Sequence, residues 1–259
     1  MLLNARVQFE VNDALVSVIM PACNSEKYIT ESIVSVLEQS YKNLELIIIN
    51  DCSSDNTLEI IKTFAQKDDR VILINNDINV GCAESRNKGL LQVQGQYIAF
   101  IDSDDIWEKE KIEKQLSYIQ EEESDMVFTA YEMIDVNGKH IKNRSTKRKI
   151  VLKDLLEENS IVFSTTFFAK KSIADICFKQ EWYHEDYVFL LECLQKKLKI
   201  LGLNEQLAKY RVHKDGRSFC KIKAAKHRWK IYRKFLNMSM IETAKYFTSY
   251  FMNGLKKYR

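Results

Sequence analysis

Two residue types that interrupt chains are nearly missing here: 259 residues hold one proline and seven glycines. Independent domains are usually joined by linkers rich in these residues, so the chain is expected to be one large domain with at most an appendage. Any apolar run near the ~18 residues that a membrane-spanning helix needs is also absent, and residues 1–13 lack the basic and apolar regions of a secretory signal. The expected location is therefore the cytoplasm. Among Cys23, Cys52, Cys82, Cys177, Cys193 and Cys220 there is no Cys-x-x-Cys spacing and no histidine at zinc-finger distance. That argues against a structural zinc site and leaves free buried thiols as the expectation.

What is present is a chain of 46% hydrophobic and 29% charged residues, enough for a full core. Its net charge of +3 is unevenly placed. From Lys221 to Arg259 eleven Lys/Arg stand against one acidic residue, Glu242, a balance of +10, while residues 1–220 carry 28 basic and 35 acidic groups, a balance of −7. An anionic surface is the expected partner of that tail.

Apolar runs of strand length at 16–20, 44–49, 71–75 and 97–101 alternate with amphipathic stretches at about 26–39, 54–67 and 83–93. This is the pattern of an α/β fold, a mostly parallel central sheet flanked by helices. Ligands collect at the carboxyl ends of such strands, and here those ends are polar. They carry Pro21-Ala22-Cys23-Asn24, then Asn50-Asp51-Cys52-Ser53-Ser54, then the Asn75 to Gly81 loop leading to Glu84-Ser85-Arg86, and lastly Asp102-Ser103-Asp104. Clustered carboxylates at the end of a buried strand repel one another unless a cation sits there, and hard oxygen ligands suit Mg or Mn. Taken alone, Asp-Ser-Asp is equally ordinary loop and capping chemistry. Farther on, a helix is expected at 109–122, strands at 126–130, 161–168 and 206–212, and a helix at 184–194, with 135–149 read as a mobile loop. The tail spaces Trp229, Tyr232, Leu236, Met240, Phe247 and Phe251 as amphipathic helices do.

The ordered series Val18 to Asn24, Ile49 to Asp55, Ser85 to Gly89 and Asp102 to Asp105 resembles the family 2 glycosyltransferases with the GT-A fold, of the kind that build bacterial surface polysaccharides. The resemblance divides the chain into a catalytic domain at 1–219, with a nucleotide-binding half at about 14–107 and an acceptor half at about 108–219, and a basic helical tail at 220–259. It implies a UDP-sugar donor and Mn2+ or Mg2+. Pro21, Asn24, Asp51, Arg86, Asp102, Ser103 and Asp104 would bind the sugar nucleotide, with Asp51 on the uracil and Asp104 a direct metal ligand. Trp182-Tyr183-His184-Glu185-Asp186 resembles the Glu-Asp motif of the inverting members, which makes Asp186 the general base and Glu185 an acceptor or donor-sugar contact. Tyr210-Arg211-Val212-His213 resembles their Arg-x-His strand, with Arg211 an acceptor or donor-sugar contact and His213 completing the metal site or touching the diphosphate. Two positions depart from the pattern. Cys23 stands where relatives carry an aromatic, and Asn50 replaces the first of two acidic residues. Cys23, Cys52 and Cys82 all fall on the expected rim; at least one is expected near the nucleotide, where alkylation would inhibit, and inert thiols in packed loops are the bland reading.

Bland readings remain beside these. Asp51 also suits helix capping, Arg86 a surface ion pair, Glu185 and Asp186 a helix dipole, and His213 an exposed strand position. The tail fits either a solvated hairpin on the catalytic domain or an anionic membrane surface, such as the inner face of the plasma membrane, where a lipid-linked saccharide acceptor would be found. It has no nucleic-acid fold, so a nucleic acid is not expected as partner. The alternative to an enzyme is a non-catalytic sugar-nucleotide-binding or scaffolding protein.

Overall fold

The structure, a computed structural model, describes residues 13–213 and 221–257. The segments 1–12 and 214–220, which include Cys220, and residues 258 and 259 lie outside the described residues. In the first half, β1 (Val16–Ala22), α1 (Ile29–Leu37), β2 (Leu44–Asp51), α2 (Thr57–Ala65), β3 (Val71–Asn76), α3 (Cys82–Gln92) and β4 (Tyr97–Phe100) follow one another. The pairs β1–β2, β2–β3 and β1–β4 are all parallel. Period-two alternation sends Val18, Met20, Leu46 and Ile48 to one apolar core and Ile19, Ile47 and Ile49 to the other, on opposite faces of the sheet. Gly89 lets α3 lie against the second face, because a Cβ there would meet Ile19 Cγ2 at 2.7 Å. Arg86 sits three residues earlier on that helix.

The second half adds β5 (Ile106–Trp107), α4 (Lys111–Glu121), β6 (Met126–Ile134), β7 (His140–Arg144), α5 (Leu152–Glu157), β8 (Thr166–Ala169), α6 (Glu185–Gln195) and β9 (Ile200–Arg211). The sheet order is β3-β2-β1-β4-β8-β6-β9-β5, with β7 on β6. Here β8 runs antiparallel to both β4 and β6, β5 antiparallel to β9, and β6 parallel to β9.

Three expectations are corrected. The stretch 135–149 is not simply a loop: Asp135 Oδ1 accepts the Asn137 and Lys139 amides at 2.8 and 2.9 Å, and Gly138 takes φ +81°, closing a hairpin whose return strand is β7. The strand expected at 161–168 is only Thr166–Ala169, preceded by a 3-10 turn at Phe163–Thr165. The strand expected at 206–212 begins earlier, at Ile200.

The tail forms α7 (Lys221–Lys230), a π turn (Ile231–Phe235) and α8 (Met240–Lys257). Ile231 and Tyr232 belong to the same buried cluster as Tyr187, Val188 and Leu191 of α6. Tyr232 Oη donates to the Leu156 carbonyl at 2.5 Å and Asn253 Nδ2 to that of Glu157 at 3.2 Å. The tail is thus packed against α5 and α6, its inner face buried in the core they share.

Candidate active site

The ends of β1 and β2 are tied to each other before any ligand is considered. Asn24, at φ +50°, accepts the Ser54 amide on Oδ1 at 2.8 Å, and its own amide donates to Ser53 Oγ at 3.0 Å. Pro21 is buried inside β1, one position before Ala22. Asp51 is only 3% exposed; Oδ1 accepts the Val80 amide at 2.8 Å and Asn76 Nδ2 at 3.0 Å, and Oδ2 accepts the Gly81 amide at 2.8 Å. Its carboxylate therefore anchors the turn that opens α3, where Gly81 takes φ +85°. Helix capping of α2, the bland reading, is not what Asp51 does. Contrary to the expectation of buried thiols, Cys23, Cys52 and Cys177 are exposed and Cys193 is buried; partial burial followed by the Asp51 charge raises the Cys23 thiol pKa, which makes it less reactive.

Arg86 joins the two halves. Its guanidinium is buried, donating from Nη2 to Asp102 Oδ1 at 2.7 Å and from Nη1 to Glu185 Oε1 at 3.1 Å. The Phe163 and Phe178 rings lie under it at 5.0 and 5.4 Å, and Nε has no hydrogen-bond partner among the described residues. Burial disfavours its charge, yet the surrounding Cys82, Asp102, Glu185 and Asp186 overcome that and raise its pKa. The Asp-Ser-Asp element and the Glu-Asp element, far apart in sequence, thus share one cation.

The Asp102–Asp105 segment is held from several sides. Ser103 Oγ meets Ser25 Oγ at 2.7 Å, and the Asp102 amide donates to Ser164 Oγ at 3.0 Å. Asp105 is fully buried, accepting Ser164 Oγ on Oδ2 at 2.5 Å and the Arg211 amide on Oδ1 at 2.9 Å. Arg211 donates from Nε to the Asp104 carbonyl at 2.8 Å and from Nη2 to Glu31 Oε2 at 2.7 Å, and its guanidinium covers the Tyr28 ring at 4.6 Å. Two residues on, His213 Nε2 lies 2.8 Å from Asp104 Oδ2, with Tyr28 edge-on to its imidazole at 5.3 Å. Desolvation first, then the neighbouring Asp104, raises the Asp102 pKa, while Arg86 opposes the rise; burial and the Asp104 and Asp102 charges raise Asp105 well above the carboxylate range.

Asp186 stands in the first turn of α6, accepting the Tyr187 amide on Oδ1 at 2.7 Å. It follows Glu185, which Arg86 holds, and its charge is felt at both Arg86 and Asp102. The sequence had not singled out Ser25, Tyr28, Glu31 or Ser164, and nothing in it distinguishes them from ordinary surface and loop residues. Asp105 was visible as a third carboxylate without a part to play.

No group of three or more His, Cys, Asp or Glu that could hold a metal occurs among the described residues. Asp104 and His213 nevertheless present an oxygen and a nitrogen donor at one point, beside Asp102. That set fits a divalent ion held by few protein groups and completed by substrate phosphates.

The pattern that defines Glycosyl transferase family 2 matches residues 17–189. The chain belongs to this family. A glycosyltransferase of Haemophilus influenzae that carries no more specific name is 38% identical over 96% of this chain and 100% of its own. The UDP-Glc:alpha-D-GlcNAc-diphosphoundecaprenol beta-1,3-glucosyltransferase WfgD of Escherichia coli is 32% identical, with 96% of each chain covered. The crystal structure of S. aureus TarS residues 1–349 in complex with UDP-GlcNAc superposes with a TM-score of 0.68 over 91% of this chain and 71% of that one, at 22% identity. The fold is accordingly the GT-A fold, and the glycosyltransferase expectation stands.

Proposed function

We propose that this family 2 glycosyltransferase transfers a hexosyl or N-acetylhexosaminyl group, with inversion, from a UDP-sugar to a hydroxyl of a polyprenyl-diphosphate-linked saccharide in surface-polysaccharide synthesis. The observation that supports the reading is the Arg86 bridge between Asp102 and Glu185, the residue next to the candidate base Asp186. The donor and acceptor that the name of WfgD states support the substrate class.

In this reading Asp51 sets the uracil pocket through the Val80–Gly81 turn it anchors, and Pro21 and Asn24 fix the loop beside it. Arg86 holds Asp102 and Glu185 at a fixed separation, with Ser103 tied to Ser25. Asp104 and His213 would hold Mn2+ or Mg2+, and a cation so bound supplies Lewis-acid stabilisation of the leaving diphosphate. Arg211 pins the Asp104 carbonyl and so the loop that carries this carboxylate. Asp186 Oδ1 is occupied by the Tyr187 amide, and Oδ2 takes the proton of the attacking hydroxyl as the glycosidic bond forms. Glu185, fixed by Arg86, keeps Asp186 in register.

The test is metal-dependent UDP release and product formation with UDP-glucose or UDP-GlcNAc and a GlcNAc-diphospho-lipid. Asp186→Asn is expected to lower kcat by about 10²–10⁴ while donor binding persists. Asp104→Ala should weaken metal-dependent donor binding. The anomeric configuration of the product, read by NMR, tests inversion, and full transfer by Asp186→Asn would remove the base assignment.

No helix among the described residues is long and apolar enough to cross a membrane. The outer face of α8 is apolar instead: Met240, Ile241, Phe251 and Met252 are 59, 84, 54 and 51% exposed. In a tail of charge +10 this face suits peripheral binding to an anionic bilayer on the cytoplasmic side. Ile241→Glu with Phe251→Glu should abolish co-sedimentation with phosphatidylglycerol vesicles; binding equal to the unsubstituted chain would sink the assignment.

A further inference from the structure

Helix α7 lays three basic side chains over the loop that leads into the candidate base. Lys223, His227 and Lys230 follow one another at i, i+4 and i+7, the spacing of a single helical face. Lys223 Nζ lies 4.3 Å from the centre of the Tyr183 ring, and His227 stacks on the same ring at 4.7 Å and 18°. Lys230 Nζ lies 5.1 Å from the Trp182 ring, which is also met edge-on by Phe235 at 5.8 Å. Tyr183 precedes Asp186 by three residues, a path of at most about 11 Å even fully extended.

None of the three forms an ion pair with a carboxylate among the described residues, whereas Lys114, Lys147, Lys179, Lys196 and Lys209 of the catalytic half all do. Desolvation lowers the His227 pKa, and the charges of Lys223 and Lys230 beside it lower it further. Such a face ordinarily spreads into solvent. Here the aromatic rings of Trp182 and Tyr183 hold the ammonium groups and the imidazole on one ledge beside the site, a preorganised arrangement for an anion with several oxygen acceptors.

We infer that Lys223, His227 and Lys230 bind the diphosphate of the acceptor, placing its sugar hydroxyl at Asp186. This rests on the acceptor class proposed above. A diphosphate sits one sugar ring from the reacting hydroxyl, and the short Tyr183-to-Asp186 path matches that separation. The ledge thereby selects a saccharide by the group on its reducing end, independently of which sugar the donor half carries. It is separate from the outer face of α8, which would touch the bilayer through apolar contacts.

Two measurements test it. In the first, inorganic pyrophosphate is titrated into the full chain without metal or donor, and the imidazole resonances of His227, identified by their loss in His227→Gln, are followed by NMR. A saturable shift is expected that weakens at least tenfold in Lys223→Ala/Lys230→Ala and persists in Asp186→Asn. In the second, kcat/KM is compared for a GlcNAc-diphospho-lipid and for a neutral alkyl glycoside of the same saccharide and chain length. The preference for the diphosphate acceptor should fall tenfold or more in the double variant, chiefly through KM. No response to pyrophosphate, or an equal fall for both acceptors, would overturn the inference. So would loss of vesicle binding by the double variant without any pyrophosphate response, which would make the ledge a headgroup contact. Anion binding at His227 in a protein that transfers to no diphosphate-linked saccharide would leave the ledge standing and remove the acceptor proposed for the enzyme.

Discussion

Arg86 and Arg228 are both buried helical arginines lying on aromatic rings, and they differ in what neutralises them. Arg86 rests on Phe163 and Phe178 and is met by Asp102 and Glu185. Arg228 rests on Tyr187 at 3.4 Å and Tyr250 at 4.7 Å, and among the described residues its Nε and Nη1 have no hydrogen-bond partner and no carboxylate pairs with it. Burying a charge without a counter-charge is costly, so the tail tolerates a penalty that the active site has offset. The contrast separates two uses of a guanidinium. In the catalytic half it fixes the separation of two acids; in the tail it fills the space between α6 and α8 and holds aromatic rings by its face.

The largest break in this comparison is Arg86→Met. It keeps most of the volume but leaves Asp102 and Glu185 without their common cation, and removing one partner of a buried pair typically costs about 3–5 kcal/mol. Chemical denaturation should show a loss of that size, with transfer activity abolished. Arg86→Lys keeps the charge but not the fork that reaches both acids, so it should retain more stability than activity. A fully active Arg86→Lys would mean that the two acids do not need a fixed separation.

Much of the polar rim was legible in the sequence, because strands buried on both faces read as apolar runs and their polar ends stand out against them. Asp102, Asp104 and Asp51 could be found that way. The Arg86 to Glu185 contact could not, since it joins residues 99 positions apart and each alone resembles a surface or helix-end charge. Strand β7 was missed because every position from His140 to Asn143 is exposed and Ile141 is the single apolar residue among polar neighbours, leaving no apolar alternation to detect. Helix α5 spans six residues, too few to establish a helical period. The basic excess of the tail was plain, but not its division into a buried inner face, a basic ledge and an apolar outer face. That division depends on what α6 presents to it.

Lys111 extends the comparison to a second kind of buried cation. It is fully buried, its Nζ lies 3.9 Å from the Trp107 ring centre, and its hydrogen bond goes to Gln115 Oε1 at 2.6 Å rather than to a carboxylate. Desolvation lowers its pKa well below the ordinary lysine value. Unlike an arginine, it can shed its proton when buried. Between the depressed folded value and the ordinary unfolded one, the unfolded chain binds a proton that the folded chain does not, so this group makes stability rise with pH through that window and fall as pH drops back through it. Lys111→Met should therefore be more stable than the unsubstituted protein by roughly 1–2 kcal/mol at neutral pH, after the lost Gln115 contact is counted. That advantage should shrink steadily as the unfolding measurement is moved toward the ordinary lysine pKa. An advantage independent of pH would mean that Lys111 keeps its proton in the folded protein.

The smallest effect is expected at Arg228→Met, and it sharpens the comparison most. The substitution orphans no acid, and the nearby phenols keep their own acceptors, since Tyr187 Oη donates to the Leu155 carbonyl at 3.0 Å and Tyr232 Oη to that of Leu156. Relief of the buried charge opposes the loss of cation–π contacts worth about 0.5–2 kcal/mol. The net change in unfolding free energy should therefore stay within about 1 kcal/mol of zero. Because Tyr187 immediately follows Asp186, kcat at saturating acceptor is the more sensitive reading: a fall in kcat without a matching fall in stability would make Arg228 a positioning residue for α6. A stability loss as large as that of Arg86→Met would instead mean that Arg228 has an anionic partner in solution, and the contrast between the two arginines would collapse.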